Sequence, residues 1–332
     1  MKPVLFPISK VYASLALFKN YLYEKKIFSS VSLSVPVISV GNLTLGGTGK
    51  TPLTELIIGE LLKRGREPGV VVRSYRAKSS VPSRVLPGEP FSASLYGDEA
   101  VLLASRYPQV PVWSGPDKTD TALAILRAEK IDSVVLDDGF QHRRLARKMD
   151  LLVLDATEPL HNYEPFPLGR AREPLSSITR ATAVVLTKVN LCEEGHLKAL
   201  RTLVPGNAAS FEFAFKVSGV RCNTQALIDR QQPVFAACGI ARPDIFLKTL
   251  EQELGVKVSG HLAFRDHHNY SDFDVQKILD LAQGRQVVVT AKDEVKLRHL
   301  WPKERPLFVV DIKLQQTGGR GEFGEYITQA LG

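Results

Sequence analysis

The chain has 332 residues, 44% of them hydrophobic and 23% charged, a composition ordinary for a soluble globular protein of one large or two medium domains. Lysine and arginine outnumber aspartate and glutamate by 43 to 35, and this net charge of +8 favours anionic partners such as a nucleotide, a nucleic acid or an acidic lipid. Three cysteines without metal-ligand spacing argue against a zinc site and suit a reducing cytoplasm.

The first predicted element is an amphipathic helix within residues 5–23. Its apolar stripe consists of four residues at helical spacing, Val11, Leu15, Phe18 and Leu22. Lys10 and Lys19 interrupt the apolar run, so neither a membrane-spanning helix nor a signal peptide is expected. A basic helix with aromatic residues is typical of a membrane surface, and packing of the helix on the domain is the alternative.

A glycine-rich turn then connects a short strand ending at Val40 to a helix that opens at Lys50-Thr51. This order of strand, glycine loop, Lys-Thr and helix is the context that a phosphate-binding loop requires. The glycines let backbone N–H groups converge on phosphate oxygens, Lys50 can reach the β- and γ-phosphates, and the Thr51 hydroxyl can bind Mg²⁺. The predicted ATP-binding residues are Thr44, Leu45, Gly46, Gly47, Thr48, Gly49, Lys50 and Thr51. Thr44 stands where the usual signature has its first glycine.

Strand and helix patterns alternate after this loop, as in a doubly wound, mostly parallel sheet of the P-loop NTPase type. Strands are predicted at 35–40, 69–73, 110–113, 131–137, 150–155 and 182–187. Helices are predicted at 50–64, 98–106, 118–129, 174–180 and 192–203. A second, smaller α/β unit is predicted beyond about residue 217, with strands near 233–237, 286–290 and 307–312. We therefore expect a surface helix at 1–26, a P-loop domain at 27–217 and a smaller α/β domain at 218–332.

Two pairs of adjacent carboxylates stand at the ends of predicted elements. Asp98 and Glu99 open a helix, where they either complement its dipole or supply a base or a metal ligand. Asp137 and Asp138 follow an apolar strand, and ligands bind at that edge of a parallel sheet. An aspartate there can hold Mg²⁺ directly or through water. The predicted metal ligands are Thr51, Glu99, Asp137 and Asp138.

A third polar cluster, Asp266-His267-His268, precedes a predicted helix that starts near Ser271 in the second unit. Adjacent histidines point in different directions, so they do not form a simple bidentate metal pair. A metallophosphoesterase would need several more acidic and histidine clusters, and the whole chain has seven histidines. Solvated residues ahead of a helix cap remain the alternative to an active-site role.

Together, five motifs closely resemble the tetraacyldisaccharide 4'-kinase family, the lipid A kinases of Gram-negative bacteria. They are Gly41-Asn-Leu-Thr-Leu-Gly-Gly-Thr-Gly-Lys-Thr-Pro52, Gly97-Asp-Glu99, Leu136-Asp-Asp-Gly-Phe-Gln-His142, Cys238-Gly-Ile-Ala-Arg-Pro243 and Phe264-Arg-Asp-His-His268. The resemblance implies transfer of the γ-phosphoryl group of ATP to the 4'-hydroxyl of a lipid A precursor, a tetraacyl glucosamine disaccharide 1-phosphate. It also implies two α/β domains with the active site in the cleft between them, at the cytoplasmic face of the inner membrane.

The same resemblance assigns the catalytic base to Asp98, assisted by a histidine of the second unit, and we expect His267 rather than His268. Lys50 is the third predicted catalytic residue, because phosphoryl transfer depends mainly on positioning and charge neutralisation. The chain departs from the family at Gly169-Arg-Ala-Arg-Glu173, where Gly-Pro-Leu-Arg-Glu is usual, and at Arg73-Ser-Tyr75, where Arg-Gly-Tyr is usual. These departures leave the acceptor contacts open.

Two other classes of protein are compatible with parts of the sequence. A membrane-surface ATPase switch would need no acceptor base, but such proteins often carry a lysine where this chain has Leu45. A GTP-dependent carrier or chaperone is indicated loosely by Thr187-Lys-Val-Asn190, although Asn190 replaces the aspartate that reads guanine. No basic module with interleaved aromatic residues is present, so no nucleic-acid partner is expected.

Overall fold

The computed structural model describes residues 2–74, 80–88, 92–206 and 208–331. The strands are β1 (Val37–Asn42), β2 (Pro68–Arg73), β3 (Ser83–Arg84), β4 (Val112–Gly115), β5 (Ser133–Asp137), β6 (Met149–Asp155), β7 (Ala183–Thr187), β8 (Ala209–Cys222), β9 (Val234–Cys238), β10 (Val258–Ala263), β11 (Gln286–Thr290) and β12 (Leu307–Gly319). The helices are α1 (Lys2–Glu24), α2 (Lys50–Lys63), α3 (Ser92–Tyr96), α4 (Asp98–Arg106), α5 (Lys118–Ala128), α6 (Glu194–Arg201), α7 (Pro243–Thr249), α8 (Asp272–Ala282), α9 (Ala291–Leu297) and α10 (Phe323–Leu331).

Within the described residues, the strands form one twelve-stranded sheet in the order β10-β9-β11-β12-β8-β7-β6-β1-β5-β2-β4-β3. Two pairs, β8–β12 and β3–β4, are antiparallel, and the other neighbouring pairs are parallel. The predicted α/β fold with a mostly parallel sheet is therefore confirmed. Parallel strands covered on both faces are apolar throughout, and β5, β6 and β7 are buried along their whole length.

Two long antiparallel strands connect the two halves of the sheet. β8 and β12 are paired along their length: Phe211 of β8 lies opposite Gly319 of β12 at one end, and Cys222 lies opposite Phe308 at the other. The boundary predicted at residue 217 lies inside β8, so the division into two domains stays a prediction. The C-terminal helix returns to the first half, because Phe323 and Ile327 pack in one core cluster with Leu53 of α2.

Two polar side chains of helix α1 form hydrogen bonds with the rest of the chain. Ser9 donates a hydrogen bond to the carbonyl of Pro165 (2.8 Å), and Asn20 donates one to the carboxylate of Glu173 (2.7 Å). Both Ser9 and Asn20 are buried. Most of the predicted apolar stripe lies on the other side, with Val11, Leu15 and Phe18 all exposed by 59–64%. No helix in the described part of the chain is long and apolar enough to cross a membrane.

Candidate active site

A cavity of about 900 Å³ opens where the carboxyl ends of the parallel strands meet, and both halves of the sheet line it. The predicted site residues that line it are Leu45, Gly46, Gly47, Thr48, Gly49, Lys50, Thr51, Glu99, Asp137, Asp138 and His267. Two others, Thr44 and Asp98, are buried, with 1% and 5% of their surface exposed. The structure thus brings residues separated by more than 200 positions to one cavity.

The phosphate loop connects β1 to α2 and is held from within by Asn42. The side-chain amide of Asn42 donates to the carbonyl of Thr44 (2.6 Å) and to the hydroxyl of Thr48 (2.9 Å). Gly49 has a φ of 94°, and a Cβ there would lie 3.1 Å from the ring of Phe215. A residue with a side chain would therefore be both strained and crowded, which explains the glycine.

A second set of contacts supports the loop from behind. The Thr187 hydroxyl donates to the carbonyl of Thr48 (2.7 Å), and the Lys188 ammonium donates to the carbonyl of Gly47 (2.7 Å) and pairs with Asp155. Asn190 exchanges hydrogen bonds with the backbone of Phe215. Asn190 stands where an aspartate would read guanine, and its amide is engaged by protein backbone, which argues against the guanine-reading role that the motif indicated.

Asp138 lies at the centre of a charged cluster at the end of β5. Arg172 donates two hydrogen bonds to its carboxylate (2.9 and 3.0 Å), the Lys50 ammonium lies 3.4 Å away, and Lys118 donates to its carbonyl. Burial alone would raise the pKa of Asp138, but the charges of Lys50, Lys118 and Arg172 outweigh it and hold the pKa well below its usual range. Burial lowers the pKa of Lys118 to about 8.

Asp137 has a different environment from its neighbour. Its carboxylate accepts a hydrogen bond from the Thr54 hydroxyl (3.2 Å), and the residue is 4% exposed. Burial raises the pKa of Asp137, with a further contribution from the charge of Asp138, while Lys50 opposes the shift. The two adjacent aspartates therefore differ in their pKa, although both open onto the cavity.

Asp98 and His267 form a pair across the cleft, 169 positions apart in the sequence. The His267 Nδ1 atom lies 3.0 and 3.1 Å from the two carboxylate oxygens of Asp98, at the start of α4. Burial alone would raise the pKa of Asp98, but Lys292, Lys296 and hydrogen bonds from Glu99 and His267 hold it well below its usual range. The hydrogen bond to Asp98 raises the pKa of His267.

The neighbouring His268 points elsewhere. Its Nε2 atom lies 3.2 Å from the Asp274 carboxylate, and its ring stacks on Phe264 with a centroid distance of 4.6 Å. Asp274 also closes a capping box with Ser271 at the start of α8. His268 thus helps to fasten the loop that presents His267, and the geometry agrees with the choice of His267 over His268 for the contact with Asp98.

Two lysines of α9, which the sequence reading did not single out, face the same two carboxylates. The Lys292 ammonium lies 2.6 Å from Glu99, and the Lys296 ammonium lies 3.2 Å from Asp98. Burial raises the pKa of Glu99 to about 7; Lys292 opposes this shift and the charge of Asp98 adds to it. Burial would lower the pKa of Lys292, but the charges of Glu99 and Asp98 outweigh burial and raise it.

Comparison with known proteins decides the family. The family model described as LpxK, tetraacyldisaccharide-1-P 4'-kinase, matches residues 1–332. The chain belongs to this family. A tetraacyldisaccharide 4'-kinase of Bdellovibrio bacteriovorus is 41% identical over 339 residues and covers 100% of both chains, and one of Anaeromyxobacter sp. (strain Fw109-5) is 35% identical, covering 94% of this chain and 87% of its own.

A solved structure of the same family is also similar. It is the crystal structure of the apo form of LpxK from Aquifex aeolicus in complex with ATP. It matches with a TM-score of 0.75 and 28% sequence identity, and the match covers 98% of this chain and 96% of that one. The resemblance drawn from the five sequence motifs is thereby confirmed.

Among the described residues of this LpxK family member, the carboxylate and imidazole atoms that converge closely enough to hold a metal ion are those of Asp98, Glu99 and His267, whereas Glu99, Asp137 and Asp138 do not converge in this way. The Thr51 hydroxyl and the carboxylates of Glu99, Asp137 and Asp138 line the same cavity, and Mg²⁺ prefers oxygen ligands of this kind. Glu99 and Asp138 each hold a lysine ammonium here, at 2.6 and 3.4 Å. The charges around Asp138 keep its carboxylate ionised, whereas burial raises the pKa of Glu99 to about 7.

Proposed function

We propose that this chain transfers the γ-phosphoryl group of ATP to the 4'-hydroxyl of a tetraacyl glucosamine disaccharide 1-phosphate, a step of lipid A biosynthesis. The observation that supports it most directly is a single cavity lined both by the phosphate loop and by His267 of the Asp98–His267 pair. One side of this cavity has the groups to hold a triphosphate, and the other has groups that can accept a hydroxyl proton.

The triphosphate lies on the phosphate loop in this proposal. The backbone N–H groups of Gly46–Thr51 bind phosphate oxygens, and Lys50 moves from Asp138 to the β- and γ-phosphates. Mg²⁺, held by Thr51 and by carboxylates among Glu99, Asp137 and Asp138, would neutralise charge on the transferred group. Arg172 and Lys118 stay close to Asp138 and keep it ionised throughout.

The acceptor hydroxyl gives its proton to the Asp98–His267 pair as its oxygen bonds to the γ-phosphorus and ADP leaves. His267 is half-buried and lines the cavity. Asp98 is buried behind it, and both of its carboxylate oxygens lie within hydrogen-bond distance of the His267 Nδ1 atom. Each member orients the other, which is how paired acid–base groups work in other active sites.

The lipid substrate requires access from a membrane, and α1 has the features of an interfacial helix. Its exposed apolar stripe of Val11, Leu15 and Phe18 is flanked by Lys10 and Lys19. Aromatic contact between Tyr12 and the exposed Phe166, at a centroid distance of 6.1 Å, extends the same apolar surface. We place this face on the cytoplasmic leaflet of the inner membrane, where anionic headgroups attract lysines.

The decisive assay incubates the full chain, Mg²⁺, γ-labelled ATP and the tetraacyl disaccharide 1-phosphate, and follows label into the lipid fraction. Time-dependent labelling of the lipid is expected, and Lys50→Ala serves as the inactive control. The alternative, an ATPase switch without a lipid acceptor, predicts release of labelled phosphate at the same rate with or without the lipid. That second result would overturn the proposed function.

A further inference from the structure

Lys296 is a buried charge that the proposed chemistry leaves without a role. Its side chain is 8% exposed, and its ammonium lies 3.2 Å from Oδ2 of Asp98, whose own side chain is 6% exposed. Removing a lysine from water is unfavourable unless the charge is paired, so this contact accounts for its burial. The partner it meets is the carboxylate that also contacts His267.

His267 and Lys296 are fastened to one rigid frame built around Asp293. This fully buried carboxylate accepts hydrogen bonds from the Tyr270 hydroxyl (2.9 Å) and the Thr290 hydroxyl (2.6 Å). It also accepts one from the backbone N–H of Gly239 (3.0 Å), and the carbonyl of Gly239 in turn accepts the N–H of His267 (3.1 Å). One buried group thus connects the loop that carries His267 to the helix that carries Lys296.

We propose that Lys296 is a positioning residue for Asp98, and this inference rests on the proposed kinase function. His267 contacts both oxygens of the Asp98 carboxylate, and Lys296 contacts Oδ2 from the next element of the same frame. Two contacts from a common frame fix the plane of the carboxylate as well as its position. Lys296 acts through Asp98, since the cavity wall is formed by His267 and Lys292 in front of it.

If Lys296 only stabilised the contact between the two halves of the sheet, its loss would change the kinetics in a different way. Loss of such a structural contact would weaken cleft closure and raise the KM for ATP or for the lipid. Loss of a positioning contact leaves both substrates bound and lowers kcat, because the catalytic pair is misplaced in the loaded enzyme.

The test measures kcat and both KM values in the full chain with Mg²⁺, ATP and the lipid acceptor. For Lys296→Met we expect kcat to fall about 10- to 100-fold while each KM stays within about threefold of wild type. In the Asp98→Asn background, Lys296→Met should cost little more. Lys277→Met is the control, because Lys277 is an exposed lysine on α8 of the same half.

Lys296→Arg keeps the positive charge and tests whether a cation at this position restores kcat. It also serves as the test variant if Lys296→Met does not fold. A kcat above that of Lys296→Met, or above that of Asp98→Asn where the methionine variant is lost, supports the positioning role. A wild-type kcat in Lys296→Met, or a loss confined to KM, would overturn it. A wild-type chain that labels no lipid would overturn the proposed function instead, and this inference with it.

Discussion

The Lys50 ammonium and the Asp138 carboxylate form an ion pair at 3.4 Å, at the position where the triphosphate is expected. The pair is partly exposed, with 16% and 33% of the two side chains accessible. Arg172 and Lys118 also bind Asp138, so Asp138 keeps cationic partners if a phosphate takes its place beside Lys50. At the scale of single residues, we therefore expect Lys50 to exchange a carboxylate for a phosphate when the triphosphate binds.

Loss of the loop's charge or of its hydroxyl should abolish turnover. Lys50→Ala removes the cation at the β- and γ-phosphates, and Thr51→Ala removes a metal ligand, so each is expected to lower kcat by orders of magnitude. Lys63→Ala is the matched control, because Lys63 is a 71% exposed lysine at the other end of α2. Near-normal rates of lipid phosphorylation in both variants would refute the phosphate-loop assignment.

His142 should make the stability of the chain depend on pH. Its ring contacts the Thr119 hydroxyl (2.8 Å), and burial, together with the charge of Lys118, lowers its pKa from 6.5 to about 4. Between these values the unfolded chain binds a proton that the folded chain does not, so the free energy of unfolding decreases as the pH falls through this window. Above pH 6.5 this penalty is absent.

The measurement is urea unfolding of wild type and His142→Gln at pH 7 and pH 5. Wild type should lose more of its unfolding free energy between the two pH values than the variant does. His299→Gln, at an exposed histidine, should behave as wild type. Parallel losses in wild type and His142→Gln would contradict the depressed pKa.

At the residue scale, the sequence singles out chemistry that is concentrated in a short segment. Spacing and residue type alone pointed to the loop at 44–51 and to the pairs Asp98-Glu99 and Asp137-Asp138. The structure shows most of them lining one cavity, and their phosphate and metal roles stay predictions. Lys188 was noted only as part of a guanine-reading motif, and Lys292 was not noted, since a single lysine near a helix start is usually a solvated charge. Lys188 matters because it contacts Gly47, and Lys292 because it contacts Glu99. Such long-range contacts cannot be read from the spacing of neighbouring residues.

Among the elements, most of the apolar strands were predicted within a few residues because parallel strands are continuous apolar runs, whereas β12 runs on to Gly319, beyond the predicted end at 312. β10 was missed, since Val258–Ala263 contains Ser and Gly and is only partly buried on alternate residues. The predicted helix at 174–180 is a 3₁₀ segment, Leu175–Arg180, with Pro174 as its N-cap. The final segment could not be placed in advance, because α10 packs on α2 through contacts between opposite ends of the chain.

Helix α1 should bind membranes through its exposed stripe. Substituting Val11, Leu15 and Phe18 together with serine removes apolar area that faces away from the fold, so the chain should stay folded and lose pelleting with anionic liposomes. Leu227→Ser is the control, at a 92% exposed leucine elsewhere on the surface. Deletion of residues 1–26 should also abolish pelleting.

Two outcomes would contradict the interfacial role of α1. Normal pelleting of the triple serine variant would show that the stripe does not contact lipid. Unfolding of the deletion variant alone would instead reflect the loss of the hydrogen bonds that Ser9 and Asn20 make with the rest of the chain. The triple variant keeps these hydrogen bonds and therefore decides the question.

In the whole molecule, the proposed catalytic pair joins elements from the two halves of one sheet. Asp98 follows α3 in the first half, and His267 follows β10 at the far edge. Other ionic contacts join the same halves, among them Arg242 with the buried Glu158 at 2.9 Å. The relative placement of the halves therefore determines whether the Asp98–His267 pair exists, and movement of one half could assemble or separate it.

The most direct test is a double-mutant cycle on Asp98 and His267, with kcat, ATP affinity and Mg²⁺ dependence measured for each variant. Asp98→Asn and His267→Ala should each lower kcat by about 10²–10⁴-fold with ATP affinity near wild type. The double variant should be little slower than the slower single variant, because members of one catalytic unit are non-additive. Fully multiplicative losses, or recovery of Asp98→Asn at high Mg²⁺, would contradict a proton-accepting pair shared between the two halves.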